Sequence, residues 1–339
     1  MAIVSPHARA CDPAAHADWQ TQMQQAVSDP LQLLQRLGLE FLLPELSASA
    51  ARQFRLRVPL AYVSRMRHGD SNDPLLRQVL PLTAEMQDVA GFSDDPVADQ
   101  AHLRVPGLIH KYHGRVLLIC TGSCAINCRY CFRRAFPYSD NSISPQHLQA
   151  ALRYIAADDS IHEVILSGGD PLSLANHKLV QLGAALLAIG HVRQLRVHTR
   201  LPVVLPDRVD SGLCDWLQGL PQPAVVVLHC NHAREIDTSV RAACQRLRAA
   251  GAMLLNQAVL LRGVNDSCAD QIELAQALLG CGVLPYYLHQ LDRVSGASHF
   301  LVADDRAKSI HAGMRAALPG YLLPQLVRDV PGAEAKSPV

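Results

Sequence analysis

From position 115 onward, short apolar runs alternate with amphipathic stretches. The runs are 115–120 (RVLLIC), 162–167 (HEVILS), 195–199 (LRVHT), 224–229 (AVVVLH), 253–259 (MLLNQAV) and 284–288 (LPYYL). They are rich in Val, Leu and Ile and mostly not alternating, as strands of a parallel sheet buried on both faces are. The stretches between them carry helix punctuation. Ser144-Pro145 opens a helix reaching about 157, 177–189 stops at Gly190, 238–250 at Gly251 and 269–279 at Gly280. The strand spacing of about thirty residues is that of a βα unit.

Six such units predict an α/β fold, either a partial (β/α)6 barrel or an open doubly wound sheet. The polar residues after the strands decide between them. A cysteine triplet, Gly168-Gly169-Asp170, His198 with Arg200, His229 with Asn231 and His232, Asn256 with Gln257, and Tyr286 to Asp292 each follow or end a strand. A barrel gathers all of them at the carboxyl ends of its strands, whereas a doubly wound sheet gathers those near one switch point. The barrel is the better expectation. Before it, 18–27 and 31–37 read as short helices broken at Asp29-Pro30 and Gly38, and 57–69 as a third. The expected organisation is an N-terminal helical cap over 1–105, a barrel over 106–318 and a C-terminal segment over 319–339. The Asp-, Pro- and Gly-rich 94–107 region reads as the linker.

Composition narrows the function. The chain has 339 residues, 49% of them apolar, ample for such a core. Its 31 Lys and Arg balance 30 Asp and Glu, so no global field points to nucleic acid. The opening residues lack the basic and apolar regions of a signal peptide, and no apolar run has the length of a membrane span. The expectation is a soluble, cytoplasmic protein, in which ten cysteines indicate thiol or metal chemistry and not disulfides.

Three of these cysteines, Cys124, Cys128 and Cys131, share one string, CAINCRYC. The compact triplet favours an iron–sulfur cluster over a zinc site, which usually pairs two separate knuckles. Clusters normally take four cysteines; three leave one iron open to another ligand. Cys120, four residues upstream, is a conceivable fourth but ends an apolar strand and reads as core. One βα unit later, Gly168-Gly169-Asp170 forms a turn whose glycines permit close backbone approach.

The triplet and the glycine turn together resemble the radical S-adenosylmethionine superfamily. The resemblance implies a [4Fe–4S] cluster on the triplet, S-adenosylmethionine on the open iron, and the methionine end held by Gly168, Gly169 and Asp170. Tyr130 stands where that superfamily usually has an aromatic residue. RRAFPY, GGDPL, HTRLPVVLP, HCNHAREI, LLNQAVLLRGVND, PYYLHQLDRVSGASHF and RDVPGAEAKSPV narrow the likeness to the lysine 2,3-aminomutase family, from about Pro106 to the last residue. LRVPLAYVSRM and DPLLRQVLP are similar to the branch that makes (R)-β-lysine for elongation factor P and its lysyl ligase.

The resemblance also assigns roles. Lys336, in the D-x-P-G-x3-K pattern opened by Asp329, would form the imine with pyridoxal 5′-phosphate, which implies that the tail folds back to the barrel mouth. A lysine nucleophile must be neutral to act, so a buried setting is expected. Arg133 would grip the substrate carboxylate, since a guanidinium pairs bidentately. Asp292 and Asp329 would hold the ammonium of L-lysine. Lys111 and Arg115 would hold the cofactor phosphate, Lys111 standing where lysine-degrading relatives carry arginine. His229 and Gln257 would lie near S-adenosylmethionine and the pyridine ring. Ala333-Glu334-Ala335 departs from a glycine-rich stretch in those relatives. The implied reaction abstracts a hydrogen from carbon 3 by a 5′-deoxyadenosyl radical while the amino group migrates as a pyridoxal aldimine. The family further implies a homo-oligomer and an electron donor such as flavodoxin or ferredoxin. Rival readings are a glutamate or arginine aminomutase, a mutase making free β-amino acid for metabolism, and a non-catalytic iron–sulfur or zinc protein. The two aspartates oppose a glutamate side chain.

Overall fold

The computed structural model describes residues 18–339; the opening residues read for a leader, and Cys11, lie outside them. Ten strands form one sheet: β1 (Leu103–Val105), β2 (Leu108–Tyr112), β3 (Arg115–Thr121), β4 (Glu163–Gly168), β5 (Gln194–Thr199), β6 (Val225–Leu228), β7 (Met253–Val259), β8 (Leu284–His289), β9 (Gln325–Arg328) and β10 (Ser337–Pro338). They pair in sequence order from β1 to β10, and β3 to β9 run parallel. The ladder ends at β1 and β10, so the sheet is a partial barrel. The six expected strands match β3 to β8 within two residues at each end. Leu118, Val164, Leu166 and Val227 are fully buried, each worth roughly 1.5–3 kcal/mol.

Helices cover the outer face, capped as their sequences direct. Ser144 accepts from His147 N–H at the start of Pro145–Ala156, Asp237 from Val240 N–H at Thr238–Ala249, and Ser267 from Asp270 N–H at Cys268–Gly280. Gly251 is left-handed (φ 86°) just beyond the second of these. No helix among the described residues is long and apolar enough to cross a membrane.

Four expectations change. Only Leu60–Val63 is helical within 57–69, because Val58 leaves to pair with Val27 and Pro59 starts the helix. The same pairing ends the first helix at Gln24, short of 27. The helix expected over 177–189 ends at Leu187 with Ala188 as its cap, so Gly190 is not the stop. The 94–107 region is packed structure: Asp99 is 2% exposed and β1 pairs antiparallel with β2. Helices Ser211–Gln218 and Asp304–Ala317 and strands β1, β2, β9 and β10 were not anticipated. β9 extends the parallel sheet past the six units, and β10 returns on it antiparallel, with Ser337 opposite Arg328. That hairpin turns the chain at 329–336 back over the barrel mouth.

The N-terminal segment shares a continuous apolar core with the barrel, Leu33, Leu34 and Tyr62 lying in the same cluster as Leu118 and Val164. It also grips the cysteine loop. Arg129, fully buried, donates to Glu85 Oε1 (2.8 Å) and Oε2 (2.5 Å) and to the backbone carbonyls of Ala50 and Phe54.

Candidate active site

One cavity of about 410 Å³ opens at the carboxyl ends of the strands and runs into the barrel. Its wall includes Cys124, Cys128, Tyr130, Cys131, Arg133, Gly168, Gly169, Asp170, His229, Gln257, Asp292, Asp329 and Lys336, and, from β2 and β3, Lys111 and Arg115. Every site residue expected from the sequence therefore faces one space. Cys120 does not; it is buried beneath the loop, donates to Leu118 O, and burial pushes its thiol up to about 12.

The glycine turn fits against the cysteine loop with no spare room. Gly168 is at φ 114°, and a Cβ there would lie 2.7 Å from Thr121 O. A Cβ on Gly169 would lie 2.5 Å from Ser123 O. Gly169 N–H donates to Thr121 O (2.7 Å) and Asp170 N–H to Ser123 O (2.8 Å). The sequence alone suggested that these glycines admit a ligand; here they first admit another backbone. Asp170 likewise works within the chain. It accepts from Thr199 Oγ1 (2.7 Å), Arg200 N–H (2.7 Å), Leu172 N–H (3.0 Å) and Leu201 N–H (3.1 Å). Burial raises its pKa to about 6 against the pull of those donors.

Further in, Arg133 is 8% exposed and lies over the Phe132 ring. Its Nε donates to Asp99 Oδ2 (2.6 Å) and Nη1 to Ser167 Oγ (3.3 Å). Asp99 Oδ1 also meets Lys111 Nζ at 2.6 Å. Burial alone would raise the Asp99 pKa, but Arg133 and Lys111 outweigh it and hold the carboxyl below its ordinary value. Ala98, just before it, is the non-glycine residue with positive φ (53°) among the described residues, a cost of order 1–3 kcal/mol. Asp95 clamps the same turn by accepting from the N–H of Asp99 and Gln100. Asp99 is thus driven into the site by a strained, capped loop.

Lys336 Nζ lies 2.6 Å from Asp329 Oδ2, and Tyr112 donates to Asp329 Oδ1 (2.8 Å). Lys336 is thus partly buried, as expected, and is met there by a carboxylate. Asp292 is different: burial and then the Asp329 charge push it up to about 7, with Lys336 pulling the other way. Gln257 Nε2 lies 2.7 Å from His229 Nε2, and burial brings His229 down to about 3, a neutral ring that can accept from the amide. Arg115 lies over the Tyr112 ring, 4.8 Å from its centroid.

Residues 118–275 match the radical SAM superfamily. The chain is 46% identical to the L-lysine 2,3-aminomutase of Escherichia coli over 95% of its own length and 94% of that protein's. It is 44% identical to the protein of the same name from Haemophilus influenzae, over 94% and 95%. The chain belongs to the lysine 2,3-aminomutase family of radical SAM enzymes. A solved radical SAM methyltransferase from Sphaerobacter thermophilus is 21% identical, with a TM-score of 0.47 over 65% of this chain and 68% of that one.

Lysine 2,3-aminomutases are radical SAM isomerases, and the family implies a [4Fe–4S] cluster, S-adenosylmethionine and pyridoxal phosphate. The donor groups here fit all three. Burial, then Asp170 and the neighbouring thiols, push the Cys124 thiol well up, and burial pushes Cys131 up to about 11. Such sulfurs become thiolates only beside a compensating cation, which a cluster supplies. Lys111 and Arg115 offer positive charge for a phosphate and Lys336 an amine for an aldehyde. His198 Nε2 is buried on the cavity wall with no hydrogen-bond partner among the described residues, free to meet a bound group. In this family setting the residues the sequence did not disclose are Asp99 and Tyr112. Asp99 sits in an acidic, Pro-containing stretch that reads as linker, and no periodicity marks it. Tyr112 carries no motif and is recruited by the returning tail.

Proposed function

We propose that the chain is an L-lysine 2,3-aminomutase converting (S)-α-lysine to (R)-β-lysine in the cytoplasm. One observation carries the reading: Arg133, the Asp292–Asp329 pair and Lys336 share one cavity with the cysteine triplet. When bound, the cluster and S-adenosylmethionine supply hydrogen-atom abstraction, and pyridoxal phosphate carries the migrating amino group. Cys124, Cys128 and Cys131 would each hold one iron and leave the fourth open. Tyr130 and the turn at Gly168, Gly169 and Asp170 would border the S-adenosylmethionine site, with His229 and Gln257 between it and the pyridine ring. Lys111 and Arg115 would neutralise the phosphate; the Lys111 ammonium does so as a point charge, without the fork of an arginine.

Lys336 would take up the cofactor aldehyde and in doing so leave Asp329. The substrate ammonium then replaces it there, one amine for another, with Asp292 as the second carboxylate. Arg133, with Nε fixed on Asp99, has its Nη edge for the substrate carboxylate. Two anions at one end and a guanidinium at the other read both charge and length, which selects lysine over glutamate.

Purified, anaerobically reconstituted protein with dithionite, S-adenosylmethionine and pyridoxal phosphate should form β-lysine from L-lysine, resolved by chiral chromatography. Product from glutamate or arginine and none from lysine would overturn the substrate. Loss of the visible cofactor band in Lys336→Ala would exclude a bare metal-binding module. We assign the product to elongation factor P and its lysyl ligase on the strength of LRVPLAYVSRM and DPLLRQVLP. Both segments pack at the site, Tyr62 and Gln78 reaching Arg200 behind the cysteine loop. Mass spectrometry of elongation factor P from a deletion strain should show the β-lysyl group missing; its persistence would favour free β-lysine for metabolism. A donor such as flavodoxin or ferredoxin would supply the electron, to a homo-oligomeric enzyme.

A further inference from the structure

Behind the cysteine loop lies a buried cation that the substrate and pyridoxal sites do not use. Arg200 follows β5 directly and is 6% exposed. Its N–H fixes it to Asp170 Oδ2. Its Nη1 lies 2.6 Å from Cys128 Sγ and 2.6 Å from Tyr130 Oη. Its Nη2 lies 2.7 Å from Gln78 Oε1, 2.9 Å from Glu235 Oε2 and 3.2 Å from Tyr62 Oη. The guanidinium is therefore locked at both ends, with one end on a cluster sulfur and the other on a buried carboxylate.

We propose that Arg200 is a positioning residue that sets the reduction potential of the cluster, through a charge-assisted N–H···S bond to the Cys128 thiolate. The proposal rests on the cysteine triplet as the cluster site and is independent of the substrate. One electron from a low-potential reductant converts the [4Fe–4S]2+ form to [4Fe–4S]1+; no bond forms or breaks and no proton moves. The added negative charge spreads onto the sulfurs, Cys128 among them. A donor and a positive charge at that sulfur stabilise the reduced form more than the oxidised one, and hydrogen bonds to sulfur are an established determinant of cluster potential. Burial makes the effect large, because little solvent screens it. Glu235 acts with the opposite sign: it lies on the far side of the same guanidinium and offsets part of its charge. Its Oε1 also accepts from the N–H of Asn231 and His232, so the carboxylate cannot swing away.

A purely architectural Arg200, tying Tyr62 and Gln78 to the barrel, would leave the potential unmoved. The two are separated by an EPR-monitored redox titration of reconstituted protein without S-adenosylmethionine or lysine, with iron and sulfide counted on each sample. Arg200→Gln should lower the midpoint by a tenfold or larger change in the reduction equilibrium, about 59 mV for one electron. Arg200→Lys, which keeps the charge, should recover part of that shift. Glu235→Gln should raise the midpoint. If Arg200→Gln fails to hold a full cluster, Glu235→Gln decides alone. Midpoints unchanged at full iron content, or shifted the same way in Arg200→Gln and Glu235→Gln, would overturn the proposal. A starting protein that takes up no EPR-active cluster would instead overturn the reading of the triplet.

Discussion

With Asp292 as the proposed partner of the substrate ammonium, lysine binding should depend on pH in a way that the α-amino and carboxylate groups of lysine do not produce. In the free protein the Asp292 carboxyl titrates near 7, raised by burial and by Asp329. Below that pH it is mostly neutral. A lysine ammonium arriving about 4 Å away would gain on the order of 4 kcal/mol from the ionised form at an effective dielectric of 20. Expelling the Asp292 proton one pH unit below its pKa costs only about 1.4 kcal/mol. The ionised form therefore wins, and lysine binds with release of a proton. Lysine affinity should therefore fall about fivefold from pH 7 to pH 6 and about tenfold for each further unit, and level off above about pH 8. The α-amino group also titrates, so norleucine, which lacks the ε-ammonium and shares everything else, is the reference. Dissociation constants for both can be read from the change in cofactor absorbance when either amine displaces Lys336. The norleucine-to-lysine ratio should rise about fivefold from pH 6 to pH 7, about twofold more by pH 8, and then flatten. In Asp292→Asn the ratio should be small and flat. A ratio in the parent protein that does not change between about pH 5.5 and 8.5 would refute the assignment of that carboxylate to the substrate ammonium.

Asp99→Asn leaves Arg133 and Lys111 as uncompensated buried cations; stability should fall by about 3–5 kcal/mol, and added inorganic phosphate should raise the melting temperature of this variant more than that of the parent. Gly169→Ala puts a methyl 2.5 Å from Ser123 O, so the cysteine loop must shift; iron content after reconstitution should drop although the protein stays folded by circular dichroism. Arg129→Met removes one of two arginines from the buried Glu85, Arg134 staying 2.8 Å from its Oε2, and leaves the Ala50 and Phe54 carbonyls without that donor; it should cost about 1–3 kcal/mol in urea unfolding, and adding Glu85→Gln should cost more because Arg134 then loses its carboxylate.

Most of the barrel was legible because its strands are short runs rich in Val, Leu and Ile at a regular spacing, as buried parallel strands are. Ser144 and Gly251 marked helix ends, whereas Gly190 did not. β1 and β2 escaped because their residues are mixed in polarity and joined by Pro106-Gly107, a turn signal that in an Asp-rich stretch reads as linker. β9 and β10 escaped because a short run near a chain end gains its hydrogen bonds only from a neighbour already in place. The chemistry divides in the same way. Cys124, Cys128 and Cys131 are close in sequence, so their spacing alone favours a cluster over zinc. Asp292, Asp329 and Lys336 were found through resemblance, not spacing, since nothing local distinguishes them from loop residues.

What the sequence determined by itself was the register of βα units, the cysteine triplet and the glycines at 168 and 169, all properties of contiguous residues. Tertiary structure decided which charges face one another. Asp99 comes from a supposed linker to bind Arg133 and Lys111, Lys336 reaches Asp329 only through the terminal hairpin, and Arg200 joins Cys128 to Glu235 across 72 and 35 residues of chain. Electrostatic energy depends on distance through space and on the solvent excluded between groups, and neither is written in the order of residues until the barrel has closed around them.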